Sequence, residues 1–555
     1  MKKYILGALF LAGITAFAQD LTTIQSVSSE DLNGTARYVG MGGAMSALGA
    51  DISTMSTNPA GIGLYRKNDV AFTASVLWQP SNERVPMNDR DRAHASFDQI
   101  GTVLTLPMSG KMRSLNFGFN YHKLRNFQDF VCTGDVATGG LSQTMQLEDL
   151  AHTDVGGYGV IDLGYDGNPW GQSWALPISN LAYQNLALDP YDDVNLKNTY
   201  LDPYTNRYRH YAVSPAKSYR YNRLQWGDTR AFDFNLACNI KDRVYLGLNI
   251  GYYSMRLNSL LSYNEQSSGL YPTSNKVEQA KGPYSTYNDQ YAEGDGVDFK
   301  LGVIVRPMEE SPFRVGFAIT TPRYMSVTSD SRLSMSNGKH MDTGKTVSGY
   351  VQIDPFRYRI RTPWKLNLSL GTTVSDWLAL DAEYEMNNCS SAGIYYDLDG
   401  GYTYNTSKDL YWKNEVKSNM KTQHTLRVGA EARFAQHFYG RIGYNYVTSC
   451  YKDDARLYLT PYAGDEDGYS YNDGTYSESY YQQTTTDLVR YGDMHRVTLG
   501  LGYHGKHFYT DLAYLCQMQN ASVVPFDLSD YGVKVPEADL KLHRHQIMLT
   551  LGTKF

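Results

Sequence analysis

The sequence predicts an all-β protein, a transmembrane antiparallel β-barrel of about 14 strands with an N-terminal hatch inside its lumen. Three observations carry this: strands alternating apolar and polar residues, connections that switch between very short and long, and a final strand ending on Phe555. In "HRHQIMLTLGTKF", Ile547, Leu549, Leu551, Thr553 and Phe555 interleave with Gln546, Met548, Thr550, Gly552 and Lys554. A closed barrel needs this pattern, because one face of every strand meets hydrocarbon and the other meets a wet lumen.

The 555 residues carry a formal net charge of −6, and 47 of them are tyrosines. That much tyrosine suits β-structure and polar-apolar boundaries. Residues 1–18 read as a secretory leader: Met1, Lys2 and Lys3, then the apolar run "YILGALFLAGITAF", then small residues before Gln19. No later apolar run is long enough for a membrane helix. The five cysteines (Cys132, Cys238, Cys389, Cys450 and Cys516) are odd in number and lack the spacing of a disulfide framework or zinc site.

The strands follow in order. "DVAFTASVLWQ" sets Val70, Phe72, Ala74, Val76 and Trp78 on one face, and Leu115, Phe117, Phe119 and Tyr121 repeat the pattern. In "TPWKLNLSL", Trp364, Leu366, Leu368 and Leu370 oppose Lys365, Asn367 and Ser369. "DWLALDAEYEM", the stretch Leu426 to Phe434, and "HRVTLGLGY" continue it. Strand starts are expected near residues 70, 96, 113, 230, 243, 297, 313, 348, 377, 424, 438, 493, 507 and 543. Short turns ("SGK", "KDR", "MEESP", "SD", "AQH", "GKH") mark one end of the barrel, and long loops, notably 123–219 and 452–486, mark the other. Within them "LSQTMQLEDLAH" and residues 174–188 have the spacing of short amphipathic helices. The barrel domain is therefore 69–555, and the last strand is expected to close on the first.

Residues 19–68 form the expected hatch. Pro59 fixes its own φ and biases Asn58 toward extended backbone, while Gly61 and Gly63 permit tight turns. Inward positions are charged (Lys365, Asp381, Glu383, Glu385, Arg427, Glu431, Arg433 and Arg441), as expected of side chains that pair across neighbouring strands. No catalytic residue, metal site or cofactor is expected. His-Glu-x-x-His and Gly-x-Ser-x-Gly are absent, "GKHMDTGKT" has the wrong glycine spacing for a phosphate loop, and basic residues do not cluster as for nucleic acid.

The stretch "ARYVGMGGAMSALGADISTMSTNPAGIGLY" resembles the hatch of FadL-type outer-membrane transporters for long-chain fatty acids and other hydrophobic compounds. Gly40, Gly42, Gly43, Ala44, Ala50, Asp51, Asn58, Pro59, Ala60 and Gly61 carry the resemblance, and the C-terminal strands extend it. It implies a non-enzymatic channel in a Gram-negative outer membrane. A hydrophobic ligand is captured at external loops, moves through an apolar cavity beside the hatch and leaves laterally through the barrel wall. The hatch element is Asn58, Pro59, Ala60 and Gly61, and Arg427, Arg433 or Arg441 would meet a ligand carboxylate. Implied partners are outer-membrane lipid, a hydrophobic small molecule and the barrel-insertion machinery, which reads the terminal Phe555; the chain is expected to be a monomer. An alternative implied by other FadL-like barrels is a carrier component of a protein secretion system.

Overall fold

In the computed structural model, the described residues are 21–80, 93–151, 177–190, 200–209, 211–267, 269, 280–340, 343–397, 406–408, 410–457, 484–529 and 532–555. The expected leader, residues 1–18, and most of loop 452–486 lie outside them.

Fourteen strands close into one antiparallel barrel. They are β1 (Asp69–Trp78), β2 (Ala93–Pro107), β3 (Met112–Asn126), β4 (Ala216–Ile240), β5 (Val244–Ser267), β6 (Ala280–Val305), and β7 (Arg314–Thr320 with Tyr324–His340). Then come β8 (Thr346–Arg361 with Lys365–Val374), β9 (Leu378–Asn388), β10 (Thr422–Arg433), β11 (Phe438–Val447), β12 (Leu488–His504), β13 (Phe508–Val524) and β14 (Ala538–Lys554). β14 closes on β1, with Lys554 opposite Asp69 and His545 opposite Trp78. The seam is finished by reciprocal backbone bonds between Asn68 and Phe555.

The expected alternation sets the outside. Phe234, Leu248, Leu301, Phe317, Leu368, Leu426, Leu499 and Leu549 are all exposed. They form the band that meets hydrocarbon, while the sheet ladder pairs the backbone between them. Several strands start well before the expected positions, β4 at 216 instead of 230 and β6 at 280 instead of 297. They continue as sheet beyond the apolar band, where alternation no longer has to separate lipid from lumen and so leaves no trace in hydropathy. Part of the expected long loop 123–219 is thus wall, with short strands at Asp129–Cys132 and Val136–Ala137 pairing with β4.

β7 and β8 are each interrupted, at Thr321–Arg323 and Thr362–Trp364. Thr320 pairs with Lys365 and Tyr324 with Arg361, so both interruptions fall at one level, around Pro322 and Pro363. Neither proline has an N–H to give the ladder. The gap is patched: Arg323 N donates to Thr362 Oγ1 (2.8 Å) and Thr362 N to Arg323 O (3.0 Å).

The lumen holds two layers. The lower, beside the short turns, is the hatch. The upper is a large apolar core built from α1 (Leu21–Ser28) and the external segments, including α3 (Gln143–Ala151) and α4 (Pro177–Gln184), the two helices expected there. Leu21, Ile24 and Val27 pack in it with Leu147, Ile178, Leu181 and Phe526.

Candidate functional site: the hatch, its seat and the wall seam

The hatch is a series of capped turns. Thr35 caps α2 (Ala36–Gly40) by accepting from Tyr38 N (3.1 Å) and donates to Asp51 (2.9 Å); Asp51 caps the next turn by accepting from Ser53 N (2.9 Å). Asn58 then caps the 3-10 turn Pro59–Leu64, its Oδ1 accepting from Ala60 N at 3.1 Å, with Pro59 at the first turn position where no N–H is needed. Asn58, Pro59, Ala60 and Gly61 are all buried.

What seats these turns is glycine in the wall. A Cβ on Gly302 would stand 2.1 Å from Asn58 Oδ1, and one on Gly247 2.2 Å from the Pro59 carbonyl carbon. At the opposite wall a Cβ on Gly443 would stand 2.1 Å from Gly42 N, and one on Gly429 2.3 Å from Met41 O. Gly42 itself has φ +67°, a left-handed conformation that glycine adopts without strain. The strand glycines were legible as a signal, since glycine inside an alternating strand marks a close backbone approach.

Most of the expected inward charges pair; Arg433 instead is exposed, and Asp381 accepts backbone N–H groups of the hatch. Arg427 meets Glu383 (3.1 Å) and Glu385 (3.2 Å). Glu431 is shared by Arg37 of the hatch (2.7 Å) and Arg441 (2.6 Å), and Arg441 also reaches Asp511 (2.6 Å). Asp381 accepts from Leu48 N at 2.8 Å. Of the three arginines expected to meet a ligand carboxylate, Arg427 lines a cavity beside residues 28–33, Arg441 is wholly buried beneath two carboxylates, and Arg433 is exposed at the rim of the short turns.

β2 and β3 are paired only from Gln99–His122 to Pro107–Ser114. Above that point β2 stays with β1 and β3 stays with β4, so the two strands part. The hatch occupies the parting. Asp31 N donates to Leu124 O (2.9 Å), and Asn126 N donates to Asp31 Oδ2 (2.9 Å). Asn33 Nδ2 donates to Lys123 O (3.0 Å) and to Asp98 Oδ1 (3.2 Å). Asp98 is the residue left over where the β1–β2 register shifts, and it turns inward. Neighbouring Glu30 reaches across to Arg323 (2.8 Å) and Lys365 (2.6 Å). Burial opposes its ionisation, but the two cations outweigh burial and hold its carboxyl well below the usual range.

A cavity of about 90 Å³ lies beside residues 28–33, lined by Glu30, Asp31, Lys365, Glu385, Arg427 and Arg496 among others. An apolar cavity was expected here; the lining is instead mostly polar. Around it the wall contributes Lys365, Glu385, Arg427 and Arg496, while the apolar side chains of α1 and the external helices close on one another in the upper core.

No family model matches the chain, and no curated protein matches it. Solved structures similar to it include the Ralstonia pickettii toluene transporter TbuX, at 14% identity over 94% of this chain and 99% of that one, with a TM-score of 0.46. A Pseudomonas aeruginosa FadL homologue is 12% identical over 98% and 100%, with a TM-score of 0.47. The Pseudomonas putida toluene transporter TodX is 10% identical over 95% and 99%, with a TM-score of 0.44. With its apolar band, closed sheet and filled lumen, the chain is an outer-membrane β-barrel of fourteen strands, the fold that its resemblance to FadL-type transporters implies.

Proposed function

We propose that this barrel is a passive uptake channel for hydrophobic small molecules, released sideways into the membrane through the seam between β2 and β3. The observation that carries the reading is the seam: two neighbouring wall strands part, and hatch residues Asp31 and Asn33 supply the hydrogen bonds that a paired strand would. A small shift of residues 30–33 opens this stretch of wall, because what it breaks is side-chain bonds and one backbone bond instead of a ladder. Sideways exit releases an apolar ligand directly into hydrocarbon, where its transfer free energy favours it. The apolar upper core is the capture surface, rearranging as ligand arrives.

For a ligand with a carboxylate, Arg427 is the arginine placed to meet it, by exchanging one of its two carboxylate partners on the cavity wall. Arg441 stays with the hatch, and Arg433 lies outside the path.

The test is a reversible lock on the seam. In a chain with its five cysteines replaced by serine, Asn33→Cys and Asp98→Cys are joined by a short reducible bis-thiol linker, and uptake of oleate and of toluene into proteoliposomes is measured. Cross-linking lowers uptake several-fold and reduction restores it. Uptake that ignores the cross-link rules out this exit.

A further inference from the structure

Beside the seam lies a second cavity, of about 60 Å³, lined by Arg125 of β3, Arg496 of β12 and Arg544 of β14 together with Asp31 of the hatch. Arg544 comes from the far side of β1 and β2 and donates to Asn126 O (3.3 Å), at the end of β3 that β2 has left. Its guanidinium stands 3.4 Å from Asp31 Oδ2, the oxygen that also accepts from Asn126 N. Arg496 is buried and donates to Gln517 Oε1 (3.0 Å) and to the carbonyl of Glu30 (3.3 Å), the residue before Asp31. Arg125 lies over the Phe127 ring, 5.3 Å from its centroid.

Arg544, Arg125 and Arg496 are the cations that act on Asp31, and among the described residues neither Arg125 nor Arg496 is in an ion pair of its own. Three guanidinium groups thus share one hatch carboxylate. Two further acids line the cavity, each with its own partners: Asp129 accepts from the Tyr491 hydroxyl (2.8 Å), and Glu30 is held by Arg323 and Lys365.

We propose that Asp31 is a stand-in ligand: its carboxylate fills an anion site formed by Arg125, Arg496 and Arg544, and the carboxylate head of an incoming amphiphile takes its place, freeing residues 30–33 from the seam. This rests on the uptake reading above and adds to it what releases the hatch. Withdrawing Asp31 with nothing in its place leaves like charges facing one another in a largely buried site, since Arg427, Arg544 and Arg125 all bear on Arg496. Uncompensated buried charge is costly. A second carboxylate removes that cost, because it restores the charge and offers the same pair of acceptor oxygens to the guanidinium groups. A neutral hydrocarbon gives the latch no exchange partner.

The route fits the exchange. Arg496 and Asp31 line both this cavity and the one bordered by Arg427, so a head group leaving Arg427 meets Arg496 next and arrives at Asp31 from the lumen side. The chemistry of the occupant is that of the side chain it replaces, a carboxylate, and its apolar chain is what the opened seam passes to lipid.

The full-length barrel is reconstituted in proteoliposomes, and initial entry of oleate is compared with that of oleyl alcohol, the same chain without the charge, at about pH 9, where the acid is ionised. With entry into protein-free vesicles subtracted, oleate enters about fivefold faster than the alcohol through the wild type, and Asp31→Asn speeds the alcohol until the two differ by less than about twofold. Equal entry of the two through the wild type, or an Asp31→Asn chain that keeps the wild-type ratio, overturns the exchange and leaves the uptake reading standing. Entry of neither above protein-free vesicles overturns the uptake reading and the exchange with it. Folding is checked by heat-modifiable migration; should Asp31→Asn not fold, the wild-type ratio decides alone.

Discussion

Arg209 is wholly buried in the external layer and gathers three carboxylates: Asp202 (2.7 Å), Glu148 (2.6 Å) and Asp149 (3.0 Å). Its partners tie α3 to the hairpin Tyr200–Asp202 and Arg207–Arg209. Burial pushes the Asp149 carboxyl up to about 7, with Glu148 adding to the rise and Arg209 and Arg207 opposing it. The folded value lies above the unfolded one of 3.8, so the folded state holds the extra proton. This contribution to stability is full below about pH 4 and is lost as pH rises to about 7. Hydrogen exchange of residues 143–151 and 200–209, corrected for its intrinsic pH dependence, is therefore faster at pH 8 than at pH 5. Asp149→Asn removes most of that difference. None of this cluster was legible in the sequence, because its members lie on separate segments and nothing in their spacing marks them as neighbours.

Among the elements, the hatch and its seat show how far sequence reaches. Asn58-Pro59 reads as a capped turn from local chemistry alone, and it is one. Where that turn docks depends on Gly302 and Gly247, more than 180 residues along the chain, and each glycine alone says only that some backbone comes close. Gly302→Val forces Asn58 off the wall, since even the first side-chain carbon has no room. The barrel still folds, because the substitution leaves the ladder of β6 intact, while the hatch loses its seat. The expected outcome is a several-fold rise in single-channel conductance and in entry of large hydrophilic antibiotics. A control at the open Gly344, changed to Asn for its left-handed backbone, leaves both unchanged. The seam between β2 and β3 was hidden for a related reason: the extra residues at Asp98 and Leu124 shift the register only against β1 and β4, and the parting is a matter of which neighbour each strand keeps.

At the scale of the whole molecule, the bilayer supplies the outer half of the solvent. Leu368 points outward and is half exposed, so to hydrocarbon it is a contact and to water it is a liability. Leu368→Arg is expected to destabilise the barrel by about 2–4 kcal/mol if it lies near the midplane, with a smaller cost toward either edge. Denaturant unfolding in lipid vesicles reads the difference. The neighbouring inward Ser369 is buried and answers instead to volume, since its Oγ stands 2.3 Å from where a Cβ on Gly316 of the adjoining strand would be.

By itself the sequence determined the barrel, its strand order, which face of each strand meets lipid, the closure of β14 on β1, and a hatch built around Asn58-Pro59. These follow from period-two patterning, turn chemistry and composition, all of which act over a few residues. Tertiary structure alone decided that the cavity lining is mostly polar and that β2 and β3 part around Asp31 and Asn33. Those outcomes depend on register and on contacts between segments hundreds of residues apart, where each side chain's meaning is set by what is brought against it.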